Sequence, residues 1–313
     1  MLNPSKNYIA SANNKTIAEF KYHISNIWEP SSRIERISEF LTSNELISVN
    51  DYTQMQNDFY SNYARKITNR FLGAFENTNI KDENMLLALE LLQEWNFVMD
   101  KQQQTPSIYL VMYQKLLENI FMDEMGENLF KEYIFIANVP YRIIEELCAG
   151  KKISWIDDVT TSKNESFNEI IRKSLVDALG ELENRFGNDL SEWQWYKLHS
   201  VTFRHPFDGI SSMVDDLVNI GPFPISGSGT TLFNTEYSFT KPYDVKLGPS
   251  MRYIYDFATP DEIKFAMPSG QSGHVMSEHY DNTTEYWLNE KYSTLNVNTL
   301  NIHEIGMDLL ILR

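Results

Sequence analysis

Gly248-Pro249-Ser250-Met251-Arg252 leads into Tyr253-Ile254-Tyr255-Asp256, and Pro268-Ser269-Gly270-Gln271-Ser272-Gly273 and His279-Tyr280-Asp281 follow in that order. This stretch decides the fold class. Aromatic and β-branched runs sit between turns rich in Gly, Pro and Ser, which is the pattern of sheet strands. Strands are expected over 251–256 and 263–267, with another in Thr230-Thr231-Leu232-Phe233 and a short helix over 279–288. Gly248, Gly270 and Gly273 are expected to permit tight turns or close backbone approach.

Upstream of about residue 220 the spacing changes to that of helices. Ile34, Ile37 and Leu41 recur helically behind Ser31 and Ser32, which are cap residue types. The next helix starts in Ser48-Val49-Asn50-Asp51 with Asn50 as cap, and Met55, Phe59, Tyr63 and Ile67 extend its face. Further helices are expected over 86–99, from Pro106 towards Gly126, over 128–148, and over 164–186 with Gly187 closing the last. Tyr8-Ile9-Ala10 has the makings of a short strand ahead of Asn13-Asn14. Helices first and sheet afterwards give an α+β layout: 1–40 strand and loop, 41–215 mainly helical, 216–313 mainly strands with a short helix.

The 313 residues are 42% apolar, enough for a sizeable core, and carry a net charge of −16. That charge argues against nucleic acid, whose polyanion needs clustered Lys and Arg, and against anionic membranes. No apolar stretch reaches the ~18 residues of a bilayer span. Met1-Leu2-Asn3-Pro4 lacks the basic start and apolar run of a signal peptide. The single cysteine, Cys148, follows Ile143-Ile144-Glu145-Glu146-Leu147 and has the setting of a core thiol on a helix.

Together with Asn3-Pro4, with Tyr8-Ile9-Ala10-Ser11-Ala12-Asn13-Asn14 and with Arg33-Ile34-Glu35-Arg36-Ile37, the C-terminal series resembles the C-terminal part of the β subunit in the penicillin acylase (penicillin amidase) family. The resemblance implies part of the αββα sandwich of N-terminal-nucleophile hydrolases. A large helical insertion would separate an N-terminal strand from C-terminal strands of the same sheet. It implies hydrolysis of a linear amide by a serine whose own α-amine is the base, which requires that serine to be first in a processed chain. Removing Met1 would expose Leu2, and Ser5 and Ser11 lie in the wrong segment. The expectation is therefore a chain inactive alone, whose partner is the N-terminal part of the acylase carrying the serine and whose substrate is a small acyl amide. Penicillins, cephalosporins, acyl-homoserine lactones and lipopeptides all stay open. Members of the family are exported, so the full precursor would end up periplasmic or extracellular. Better-known members bind calcium through an aspartate before the active-site arginine, but Phe20-Lys21-Tyr22-His23-Ile24 offers no acid there, so no cofactor is expected.

Two residues carry the catalytic expectation. Asn13 matches the family's oxyanion asparagine; a fixed side-chain NH2 there stabilises the developing negative charge. Arg33 matches the buried active-site arginine, whose planar fork can lock an asparagine in place. Arg36 is expected to make structural contacts. Other signals are weaker. Ser272 lacks the G-x-S-x-G spacing of a nucleophile elbow. Gly227-Ser228-Gly229-Thr230-Thr231 lacks the lysine of a phosphate loop. His199 with His205, and His274 with His279, lack metal-site spacing. The competing expectation is a non-catalytic scaffold or binding module of the same fold; a histidine-based metal hydrolase is a third.

Overall fold

The computed structural model describes residues 3–17, 19–43 and 45–296. Among them the helices are α1 (Ser32–Ser43), α2 (Val49–Gln56), α3 (Asn62–Gly73), α4 (Glu83–Gln93), α5 (Thr105–Tyr133), α6 (Asn138–Cys148), α7 (Phe167–Phe186), α8 (Ser212–Val218) and α9 (Thr284–Leu288). The strands are β1 (Ser200–Phe203), β2 (Ile220–Pro224), β3 (Glu236–Tyr237), β4 (Asp244–Leu247), β5 (Arg252–Tyr255), β6 (Glu262–Ala266) and β7 (Ser293–Asn296).

Local chemistry sets most helix ends. Ser48 and Asp51 form a reciprocal capping box, so Ser48, not Asn50, caps α2. Ser61 Oγ accepts from Ala64 N–H and starts α3 afresh, so Met55 and Tyr63 belong to separate helices. Asp82 caps α4, which ends at Gln93, short of the expected Met99. α5 has proline in its first turn and is interrupted where Gly126 takes φ 68°. A Ser166–Glu169 capping box opens α7 and Gly187, at φ 84°, closes it.

The chain divides into two compact units. The first comprises 1–45, 58–201 and 222–248. Its core is the α5–α7 pair with α3, α4 and α6 around it, where Leu116, Leu117, Ile120, Leu175 and Leu182 are fully buried. Each such side chain contributes about 1.5–3 kcal/mol of transfer free energy. Tyrosines fill much of the rest: the Tyr63 hydroxyl donates to Tyr141 O at 2.7 Å and lies 2.9 Å from the Tyr113 hydroxyl. Trp195 stacks on His199 at 4.4 Å and donates from Nε1 to Gly227 O. The first sheet is ordered β2-β1-β4-β3, with β4 parallel to β1 and antiparallel to β3.

The second unit comprises 46–57, 202–221 and 249–313. Here β5, β6 and β7 form an antiparallel sheet in that order, with Arg252 opposite Ala266 and Ile263 opposite Leu295. Alternation along β5 buries Arg252 and Ile254 and exposes Tyr253 and Tyr255. The three stretches that open the sequence analysis meet in this unit. Trp287 Nε1 donates to Pro249 O, Gly270 N–H to Tyr280 O and Ser272 N–H to His279 O. A Cβ on Gly270 would lie 1.8 Å from His279 O, so only glycine fits; Gly273 has nothing within 4 Å.

The mixed α+β class stands, but two expected strands are absent. Tyr8-Ile9-Ala10 forms none: it has no ladder partner among the described residues, and Ile9 is 67% exposed. Among the described residues the N-terminal stretch is paired only through the Asn14–Glu29 bridge, and no ladder joins it to the described C-terminal strands. Residues 230–233 are a buried irregular turn, in which the hydroxyl of Thr231 bonds to Ser228 O and Phe233 O in place of a ladder.

Candidate active site

Asn13 sits at φ 58°, in the left-handed region that asparagine tolerates better than most residues. Its carbonyl oxygen accepts from Glu29 N–H at 3.0 Å, and Asn14 bridges to Glu29, so both ends of the loop 15–28 are fastened at one place. Arg33, in the first turn of α1, donates from Nη2 to Asn13 Oδ1 at 2.9 Å. This bond fixes the carboxamide. A guanidinium can only donate, so the oxygen must face Arg33 and the NH2 must point away. Nδ2 of Asn13 bonds to no described residue and the residue is exposed, leaving a fixed donor directed outward.

Two carboxyls complete the surroundings. Glu29 Oε1 lies 4.0 Å from Arg33 Nη2. Burial pushes its carboxyl above the usual range, against the opposing pull of Arg33 and Arg142. Glu236, on β3, is pushed up to about 7, first by burial and then by the charge of Glu29, while Arg33 and Lys246 act the other way. Sequence reasoning missed both. Glu29 is four residues before Arg33 and had a local signal; Glu236 had none, because only the fold brings β3 to this place.

The other candidates separate cleanly. Arg36 grips Asp58 through Nε at 2.7 Å and Nη2 at 3.3 Å, reaches Glu39 at 3.0 Å, and lies over the Phe40 and Tyr60 rings, a structural clamp. Ser228, Thr230 and Thr231 spend their hydroxyls on one another, on Ser61 and on nearby backbone. Both ring nitrogens of His199 are occupied, by Tyr243 O at 2.9 Å and Thr235 Oγ1 at 3.0 Å. Ser272 Oγ accepts from His274 N–H. Burial pushes the Cys148 thiol up to about 12, so it stays protonated and unreactive. Among the described residues no group of three His, Cys, Asp or Glu is placed to hold a metal. The 20–24 stretch presents Phe20, Tyr22, His23 and Ile24, a poor donor set for calcium, which takes oxygens.

The sequence model of the penicillin amidase family matches residues 1–304. The chain belongs to this family. Its curated relatives include acyl-homoserine lactone acylase QuiP of Pseudomonas aeruginosa, 25% identical over 316 residues that cover 92% of this chain and 37% of the relative. Penicillin acylase 2 proenzyme of Pseudomonas sp. (strain SE83) is 23% identical over 295 residues, 92% of this chain and 36% of the relative. The chain thus spans little more than a third of their length. The thermostable penicillin G acylase of Alcaligenes faecalis superposes with a TM-score of 0.61 at 17% identity, over 99% of this chain and 57% of that one. The fold is therefore that of a penicillin acylase, an N-terminal-nucleophile hydrolase. Family members are amidohydrolases, and the Asn13–Arg33 pair lies within the matched residues.

Proposed function

We propose that this chain is the portion of a penicillin acylase-type amidohydrolase that supplies Asn13 and Arg33 to a serine nucleophile carried on polypeptide outside these 313 residues. The reading is supported chiefly by one contact, Arg33 Nη2 to Asn13 Oδ1 at 2.9 Å, which leaves the asparagine NH2 aimed outward as a preset donor. In amide hydrolysis the serine oxygen attacks the carbonyl carbon, and negative charge gathers on the carbonyl oxygen. Asn13 Nδ2 donates to that oxygen; Arg33 is a positioning residue that holds the carboxamide at the right rotation. Collapse of the tetrahedral species expels the amine and leaves an acyl-serine, which water then cleaves to a carboxylic acid. The substrate is a linear amide with an apolar acyl group, an acyl-homoserine lactone or a penicillin being the two classes the relatives' names point to.

The test is to co-produce the chain with the upstream, serine-bearing segment of an acylase and to follow release of a chromogenic amine from its amide. Hydrolysis is expected from the combination and not from the chain alone. Asn13→Ala in the combination should lower kcat by about a hundred- to thousandfold. Activity of the chain alone, or an undiminished Asn13→Ala enzyme, would overturn the proposal.

A further inference from the structure

The loop that joins Asn13 to Glu29 encloses space. Its ends are pinned together, and Asn138, in the first turn of α6, donates from Nδ2 to Ile27 O at 2.7 Å. Loop and helix together enclose a cavity of about 460 Å³, lined by Lys15, Phe20, Tyr22, His23, Trp28 and Arg142 among others. That volume is in the range of small-molecule sites.

Arg142, one helical turn after Asn138, is the unusual member. It is half-buried and makes no hydrogen bond or ion pair with any described residue, and its Nε is enclosed without an acceptor. A guanidinium is always charged, and leaving it shielded from water and unpaired is unfavourable. Arg142 does pull on the Glu29 carboxyl, yet Arg33 acts on Glu29 more strongly and lies 4.0 Å from it. Lys15 and His23 add donors on the same cavity, and Glu19 is the one carboxyl among its described lining residues. A cation excess in a chain of net charge −16 is a local departure. The wall also carries exposed aromatic rings beside Thr16, Ile17, Ser25 and Asn26: Phe20 is 57% and Tyr22 63% exposed, and they meet edge to face at 6.1 Å.

We propose that this cavity binds a small aromatic carboxylate. Its two oxygens accept from the free N–H groups of Arg142, and its ring lies against Phe20, Tyr22 and Trp28. The proposal concerns binding and does not depend on the amide chemistry above. Because the loop 15–28 begins beside Asn13, an occupied cavity would also brace the backbone that holds the oxyanion donor.

The full chain is titrated with benzoate and, in parallel, with benzamide, its neutral isostere, by calorimetry and tryptophan fluorescence. Benzoate is expected to bind at least about tenfold more tightly than benzamide and to weaken as salt is raised. Arg142→Gln, with its circular dichroism unchanged, should lose about tenfold in benzoate affinity, Arg142→Lys less, and Glu19→Gln should gain. Benzamide binding as well as benzoate, no saturable binding at millimolar benzoate, or undiminished binding by a folded Arg142→Gln chain would each overturn it. The benzamide comparison needs no variant, so a misfolded Arg142→Gln protein leaves the test intact.

Discussion

Glu236→Gln should make the chain more stable at neutral pH, and the gain should itself depend on pH. Burial, with the Glu29 charge adding to it and Arg33 and Lys246 opposing, pushes the Glu236 carboxyl up to about 7 from an ordinary 4.5. Below about pH 4.5 the group is protonated in the folded and the unfolded chain alike and contributes nothing. Between 4.5 and 7 the unfolded chain releases the proton while the folded chain keeps it, so stability falls as pH rises. Above 7 the penalty is constant. At about 1.4 kcal/mol per pH unit the full span amounts to roughly 3 kcal/mol; water reaches part of the side chain, so about 1–3 kcal/mol is the working range. The assay is urea unfolding followed by tryptophan fluorescence from pH 4 to pH 8, since Trp193 and Trp195 are fully buried in the same unit as Glu236. The quantity to plot is the difference in unfolding free energy between Glu236→Gln and the parent chain. It should climb with pH towards that range and level off above neutrality. A difference that stays flat from pH 4 to pH 8, or falls, would show that Glu236 titrates as an ordinary surface carboxyl.

Gly270→Ala should destabilise the second unit by about 3 kcal/mol or more, because the added Cβ meets the His279 carbonyl oxygen at 1.8 Å and a backbone group cannot swing aside. Gly273→Ala is the control, with nothing within 4 Å; equal losses for the two in thermal unfolding would defeat the steric account. His199 should stay neutral as pH is lowered, because burial holds its pKa down to about 3 while Nδ1 donates to Tyr243 O. Its folded value is below the unfolded 6.5, so its contribution to stability is intact above pH 6.5 and is lost as pH falls towards 3. An NMR titration in which the His199 ring protonates near pH 6.5 would contradict this.

Much of this molecule was legible from the chain because it depends on neighbours a few residues apart. The helix expected over 164–186 forms as α7 with Gly187 ending it, and the strand expected over 251–256 forms as β5. Asn13 and Arg33 could be nominated by residue type and by a family likeness, and the structure places them 2.9 Å apart. Errors arose where a local pattern met a non-local requirement. Tyr8-Ile9-Ala10 has strand-forming residues but no ladder partner among the described residues, and Thr230-Thr231-Leu232-Phe233 gives its polar groups to a buried hydroxyl network instead of a sheet.

By itself the sequence determined the mixed α+β class, most helical segments, the acid excess and the residue types able to stabilise an oxyanion. Only the tertiary structure decided which carboxyls surround Arg33, which way the Asn13 amide faces, and that Arg142, beside the loop 15–28, has no hydrogen-bond or ion-pair partner among the described residues. Helical and strand periodicity is set within a turn or two of chain. The protonation of Glu236 and the orientation of Asn13 depend on burial and on charges delivered by distant segments, and those exist only once the chain has folded.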